Sequence, residues 1–230
     1  MNPLRYQDGR TPLTGHLVDR HRNPGPGVLV VHGGAGLDDH ARTQAERIAD
    51  LGYVALACDM YGDGVAGDRD RTMAVITALT SDPAALRRRA GAGLRALVAH
   101  PGVDGRIAAV GYCFGGMTVL EMARGDTALA GVASIHGSLA ARHGGAAAIS
   151  APVLACHGAL DPHVPMADVL AFTAEMSAAD ADWQLLVLGG AQHGFTHTTP
   201  SPGPGVAYDA VADARSFAAL AAFLEDVFSE

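Results

Sequence analysis

Six short apolar runs recur along this chain without the in–out alternation of a half-buried strand. They are Val28–Val31, Val54–Ala57, Ile107–Val110, Val132–Ile135, Val153–Ala155 and Leu185–Leu188. A strand that is apolar on both sides must be covered on both faces, which is the usual condition of a parallel sheet. Amphipathic stretches near residues 39–51, 82–99, 114–124, 166–179 and 207–228 lie between and after the runs. That alternation predicts βαβ units, and hence an α/β fold with a doubly wound, mostly parallel sheet and helices on both faces. Arg5–Gly9 and Leu13–Val18 flank an Asp8-Gly9 turn signal and predict an antiparallel hairpin at the sheet edge. Breaker-rich stretches at Arg22–Gly27, Gly62–Asp70 and Pro200–Gly205 read as loops, none long enough for a linker. With no internal repeat, residues 1–230 read as one domain.

Hydrophobic residues make up 49% and charged residues 17% of the chain, which excludes a disordered polymer. A net charge of −8 leaves no basic footprint for nucleic acid or an anionic membrane. Met1–Arg5 opens no apolar segment, and no stretch approaches the ~18 apolar residues of a spanning helix. Three cysteines without CxxC spacing favour a reducing compartment, and cytoplasm is the expected location. Cys58 and Cys156 each close an apolar run and read as buried thiols.

The third cysteine is different. Gly111-Tyr-Cys113-Phe-Gly115 joins the run Ile107–Val110 to a helical pattern, and a glycine stands two residues to either side of the thiol. Such a strand–turn–helix element pushes its central side chain up at the end of a sheet as a nucleophile elbow. A thiol nucleophile needs a base, and the base needs an orienting acid. Asp161 follows the run Val153–Cys156, and His193 follows Leu185–Leu188. The order Cys113, Asp161, His193 is the chain order of α/β-hydrolases, with all three at carboxyl ends of parallel strands. An oxyanion hole is expected from the N–H of Phe114 and from the turn His32-Gly33-Gly34. Singly, Asp161-Pro162 is a turn former and His193 an ordinary loop imidazole; their joint placement carries the reading.

Other residues divide between structure and chemistry. His136 ends a strand at the same edge, and a pocket role competes with a hydrogen-bonded structural one. Gly33 and Tyr112 are further candidates for the pocket, while His32 and Asp59 read as structural. Asp38, Asp39 and His40 suit a helix N-cap and first turn, and Arg87–Arg89 a solvated helix face. His157, His163 and His197 lack the spacing of metal ligands, so no metal or cofactor is expected.

Over most of its length the chain resembles the dienelactone hydrolase family. The resemblance is carried by Gly36–His40, Leu51–Gly62, Ile107–Gly116, His157-Gly158 with Asp161, and Gly190–Phe195. It implies an α/β-hydrolase fold, a catalytic triad of Cys113, Asp161 and His193, and oxyanion donors at the N–H groups of Phe114 and Gly34. Two features depart from that family. Its members generally carry a glutamate where Gly33 stands. Those acting on dienelactone carry an arginine shortly after the catalytic histidine, a segment that here runs His193-Gly-Phe-Thr-His197. Arg69, Arg87 and Arg88 are candidate substitutes.

The expectation is therefore a hydrolase of small carboxylic esters or lactones, working through an acyl-enzyme as a monomer or homodimer. A thioesterase or acyltransferase is the near alternative. A non-catalytic ligand-binding protein of the same fold and a thiol sensor built on Cys113 are the distant ones.

Overall fold

The computed structural model describes residues 2–20, 23–141, 149–199 and 204–229. The apolar runs form β3 (Gly25–Val31), β4 (Val54–Cys58), β5 (Val103–Tyr112), β6 (Gly131–Ile135), β7 (Val153–Gly158) and β8 (Trp183–Leu188), all mutually parallel. Ahead of them β1 (Asn2–Asp8) and β2 (Thr11–Val18) make the expected antiparallel hairpin, turning at Gly9 with φ +58°. The hairpin docks antiparallel on β4, and the sheet order is β1-β2-β4-β3-β5-β6-β7-β8.

Among the described residues six helices cover the two faces: α1 (Asp39–Asp50), α2 (Arg69–Ser81), α3 (Pro83–Val98), α4 (Phe114–Arg124), α5 (Met166–Ala178) and α6 (Ala210–Ser229). In β3, Val28 and Val30 pack with Ala45 and Ile48 of α1 and with Leu220 and Leu224 of α6. Leu29 and Val31 turn the other way, towards Leu86 and Leu97 of α3 and Met117 and Leu120 of α4. All four β3 side chains are fully buried, so neither side of the strand has room for a polar residue. Asp38 caps α1 by accepting from Ala41 N, and Asp82 caps α3 at Ala84 N and Ala85 N with Pro83 in the first turn. No helix among the described residues is long and apolar enough to cross a membrane.

Three local expectations change. The Gly62–Asp70 stretch ends inside α2, a helix the apolar pattern did not mark, because only Thr72 and Leu79 of it are buried and no stripe forms. Arg22–Gly27 was read as a connector, yet β3 begins at Gly25, whose N–H donates to Gly102 O; residues 21 and 22 lie outside the described set, as do 200–203 of the third loop. Arg88 is solvent-exposed as expected of a solvated face, but Arg89 is largely buried. Both donate to the buried carboxylate of Asp8, and Arg89 also donates to Met60 O, which pins the hairpin to α3.

A second buried cation ties the elbow helix to its neighbours. Arg124, at the end of α4, donates to Glu121, to both oxygens of Glu175 on α5, and to Leu139 O beyond β6. Removing the cation from this enclosed group leaves the Glu121 carboxylate charged and without its counterion. We expect Arg124→Met to lower the unfolding free energy by about 3 kcal/mol or more, measured by urea titration.

Candidate active site

The elbow is built by close approach of backbone. Strand β5 ends at Tyr112, α4 begins at Phe114, and Cys113 between them holds φ +54° and ψ −113°, in the region that side chains avoid. A β-carbon at Gly111 would collide with the carbonyl of Gly115, and one at Gly115 with the carbonyl of Val31 at the end of β3. The two glycines therefore let α4 start directly against the tips of β3 and β5. Cys113 N donates to Ile135 O, which fixes the turn to β6 as well.

Asp161 lies in the turn after β7 and His193 in the loop after β8. His193 Nε2 is 3.1 Å from Cys113 Sγ, and His193 Nδ1 is 2.7 Å from Asp161 Oδ2. The second oxygen, Asp161 Oδ1, accepts from His163 N at 2.8 Å and Val164 N at 3.2 Å, so the carboxylate is held at both ends. The chain around His193 is pinned through its own N–H to Gly205 O and its carbonyl to Ala207 N. The amides of Gly34 and Phe114, the two expected oxyanion donors, lie close enough to the sulfur to lower the pKa of its thiol.

Electrostatics follow from this geometry. Burial pushes the Cys113 thiol up, but the hydrogen bond and charge of His193, with the amides of Gly34 and Phe114, outweigh it and hold the thiol below its ordinary range. Burial pulls His193 down, yet its bonds to Asp161 and Cys113 raise it to about 10. Both shifts favour the thiolate–imidazolium form of the pair. Cys58 and Cys156, buried without such partners, shift the other way, with Cys156 pushed up to about 12.

The turn after β3 is stabilised from beneath. His32 is fully buried, with Nδ1–H donating to Gly33 O and Nε2 accepting from Met60 N; Tyr61 OH donates to Gly34 O. Asp59 caps the next turn, accepting from Tyr61 N and Gly62 N. Both residues have the structural roles read from the sequence. Gly33 flanks the nucleophile: a β-carbon there would lie 3.6 Å from Cys113 Cβ and 3.8 Å from His197 Cε1. Tyr112 turns away from the pocket suggested for it. It is buried, and its hydroxyl donates to Gln44 Oε1 on α1.

His136 is fully buried at φ +42°, with its ring 5.4 Å from that of His193 and its Nε2 2.8 Å from Thr196 Oγ1. The same hydroxyl lies 2.9 Å from His40 Nε2, and the His40 ring stacks on His197 at 3.7 Å. His40 thus faces inward rather than serving only the first turn of α1. This imidazole group was missed in the sequence; the spacing of His193 and His197 hints at it, but nothing marks Thr196 or His40. Burial, the largest influence, holds His40 (to about 3), His136 and His197 below the ordinary histidine range, so all three are neutral. No grouping of three or more His, Cys, Asp or Glu side chains among the described residues is placed to hold a metal ion. Of the candidate arginines, Arg88 is engaged by Asp8 and Arg87 lies against Gly125 at the end of α4.

Comparison with known proteins identifies the family. The family model of the dienelactone hydrolase family matches residues 13–228. A crystal structure of a dienelactone hydrolase-like promiscuous phosphotriesterase from metagenomic libraries superposes with a TM-score of 0.93 at 41% identity, covering 99% of this chain and 98% of that one. An uncharacterised Caenorhabditis elegans protein is 35% identical over 153 residues, 63% of this chain and 95% of its own. A Yersinia pestis protein assigned as a carboxymethylenebutenolidase is 26% identical over 189 residues, 77% of this chain and 71% of its own. With a single family model spanning the sheet, the elbow and the loops of Asp161 and His193, the chain belongs to the dienelactone hydrolase family.

Proposed function

We propose that this protein hydrolyses small carboxylic esters and lactones through Cys113, with His193 and Asp161 completing the triad. Family membership supports a hydrolase of that class. The observation that carries the mechanism is the continuous relay from Sγ through the His193 ring to Asp161.

The steps follow from the resting ion pair. The thiolate attacks the carbonyl carbon, and the carbonyl π electrons move onto oxygen, where Gly34 N–H and Phe114 N–H receive them. Collapse breaks the ester C–O bond, and the departing alkoxide takes the proton from His193 Nε2, leaving a thioester and neutral imidazole. Water then attacks the thioester and gives its proton to His193. Collapse expels the thiolate, which restores the ion pair and releases the acid. Asp161 holds the imidazole and stabilises its positive charge throughout. With Gly33 in place of a carboxylate, thiolate formation rests on His193, the two amides and the N-terminus of α4.

A second substrate class is favoured by the likeness, at 41% identity, to a promiscuous phosphotriesterase. The same thiolate can attack an uncharged phosphotriester, expelling an aryloxide, with the same amides receiving the phosphoryl oxygen. Slow turnover of paraoxon, lost in Cys113→Ala, is the expected result.

For esters, Cys113→Ala should lower kcat/KM for p-nitrophenyl butyrate by about 10³-fold or more. Mass spectrometry of wild type quenched during turnover should show an acyl group on Cys113. Turnover that survives the substitution refutes the assignment, and release only to added thiol or alcohol, not water, would make the enzyme an acyltransferase. Iodoacetamide at pH 7 should alkylate Cys113 and spare Cys58 and Cys156. Its rate should fall as pH drops through the lowered Cys113 value. In Asp161→Asn that limb should move to higher pH, because the imidazolium that stabilises the thiolate is weakened.

A further inference from the structure

One imidazole beside the nucleophile has no part in the relay just described. His197 is half-buried, and its ring lies flat on His40 at 3.7 Å and 16°. His40 is itself anchored by Thr196 Oγ1 at 2.9 Å and Gln44 Nε2 at 3.3 Å, and Thr196 also binds His136. His197 N–H donates to Gly194 O, so both backbone and ring are positioned. Yet neither ring nitrogen of His197 hydrogen-bonds to a described residue. The ring is held by its face, and its polar edge has no bond to another described side chain.

That edge borders a gap the size of one β-carbon beside Gly33. The place a Gly33 side chain would take is 3.6 Å from Cys113 Cβ, 3.6 Å from Tyr112 O and 3.8 Å from His197 Cε1. Around a tetrahedral carbon on Cys113, the oxyanion faces Gly34 and Phe114, and the leaving alkoxide faces His193. The space over Gly33 falls to the acyl substituent. We propose that His197 is a specificity-determining residue whose ring nitrogens receive an uncharged hydrogen-bonding group of the acyl part, an ether, hydroxyl or amide near the scissile carbonyl, seated over Gly33. The proposal deepens the ester-hydrolase reading and rests on it. Neutrality of the ring fits the choice of ligand: burial, aided by the His193 charge, outweighs the opposing Asp38 carboxylate and disfavours protonation, so the ring offers one donor and one acceptor but no countercharge for a carboxylate.

The test uses p-nitrophenyl methoxyacetate and butyrate, which match in shape and differ by one ether oxygen, with p-nitrophenyl acetate as the short reference. His197→Phe keeps an aromatic ring on His40 and removes both nitrogens. The methoxyacetate:butyrate ratio of kcat/KM should fall about tenfold, the worth of one hydrogen bond. Gly33→Ala adds a β-carbon at ordinary contact distance and takes up the same gap. It should raise the acetate:butyrate ratio about fourfold, a methylene's worth. An unchanged methoxyacetate:butyrate ratio in His197→Phe overturns the proposal. Should that variant not fold, an unchanged acetate:butyrate ratio in Gly33→Ala overturns it instead. Absence of wild-type turnover on all three esters would sink the hydrolase reading and this one with it.

Discussion

Everything at the site depends on how closely the start of α4 approaches the end of β3. Gly115 lies so near the carbonyl of Val31 that no β-carbon fits between them. Because β3 and β5 are neighbours in the sheet, that contact places the turn after β3 beside the turn after β5. The amides of Gly34 and Phe114, 80 residues apart, are thereby brought near enough to one sulfur to lower the pKa of its thiol. The strained backbone of Cys113 is tolerated because three strands and a helix surround it, with the Cys113 N–H bonded to β6. Had either glycine carried a side chain, the amides would diverge and the thiol would lose two of its stabilising donors.

Burial and pairing oppose each other at Cys113, and pairing wins. Desolvation alone sends a thiol upward, as Cys58 and Cys156 show within the same sheet. Cys113 is enclosed too, but it faces an imidazole that Asp161 has already raised, together with two oriented amides. Asp161 can do this because its far oxygen is satisfied by His163 N and Val164 N, leaving the near one for His193. The charge separation is thus a property of three loops acting together. None of them would produce it alone.

The sheet and the elbow were legible because they rest on local patterns. Both-face burial writes uniform apolar runs, and the elbow writes glycines at fixed offsets. Asp161 and His193 were legible only through the order of strands that carries them. Helix α2 was not, since a helix that buries just Thr72 and Leu79 leaves no periodic trace. Nor were the partners of Arg88, Arg89 and Tyr112, because pairing across the sheet with Asp8 or Gln44 has no signature in sequence separation. The histidine group was hidden for the same reason: Thr196 joins His40 and His136 from three distant segments through one hydroxyl.

That hydroxyl clarifies what Gly33 means. A glycine beside a nucleophile reads in the sequence as a lost carboxylate, and hence as a weakened enzyme. In the fold the same absence opens the place between Cys113 Cβ and the edge of His197. A carboxylate there would face the Cys113 thiolate at close range and oppose its charge. Glycine removes that repulsion, while His193 and the two amides hold the thiol below its ordinary range. The departure from the family pattern is better understood as an exchange of roles than as a loss. Activation of the thiol passes wholly to the relay, and the vacated space passes to a neutral histidine edge that can meet a substrate.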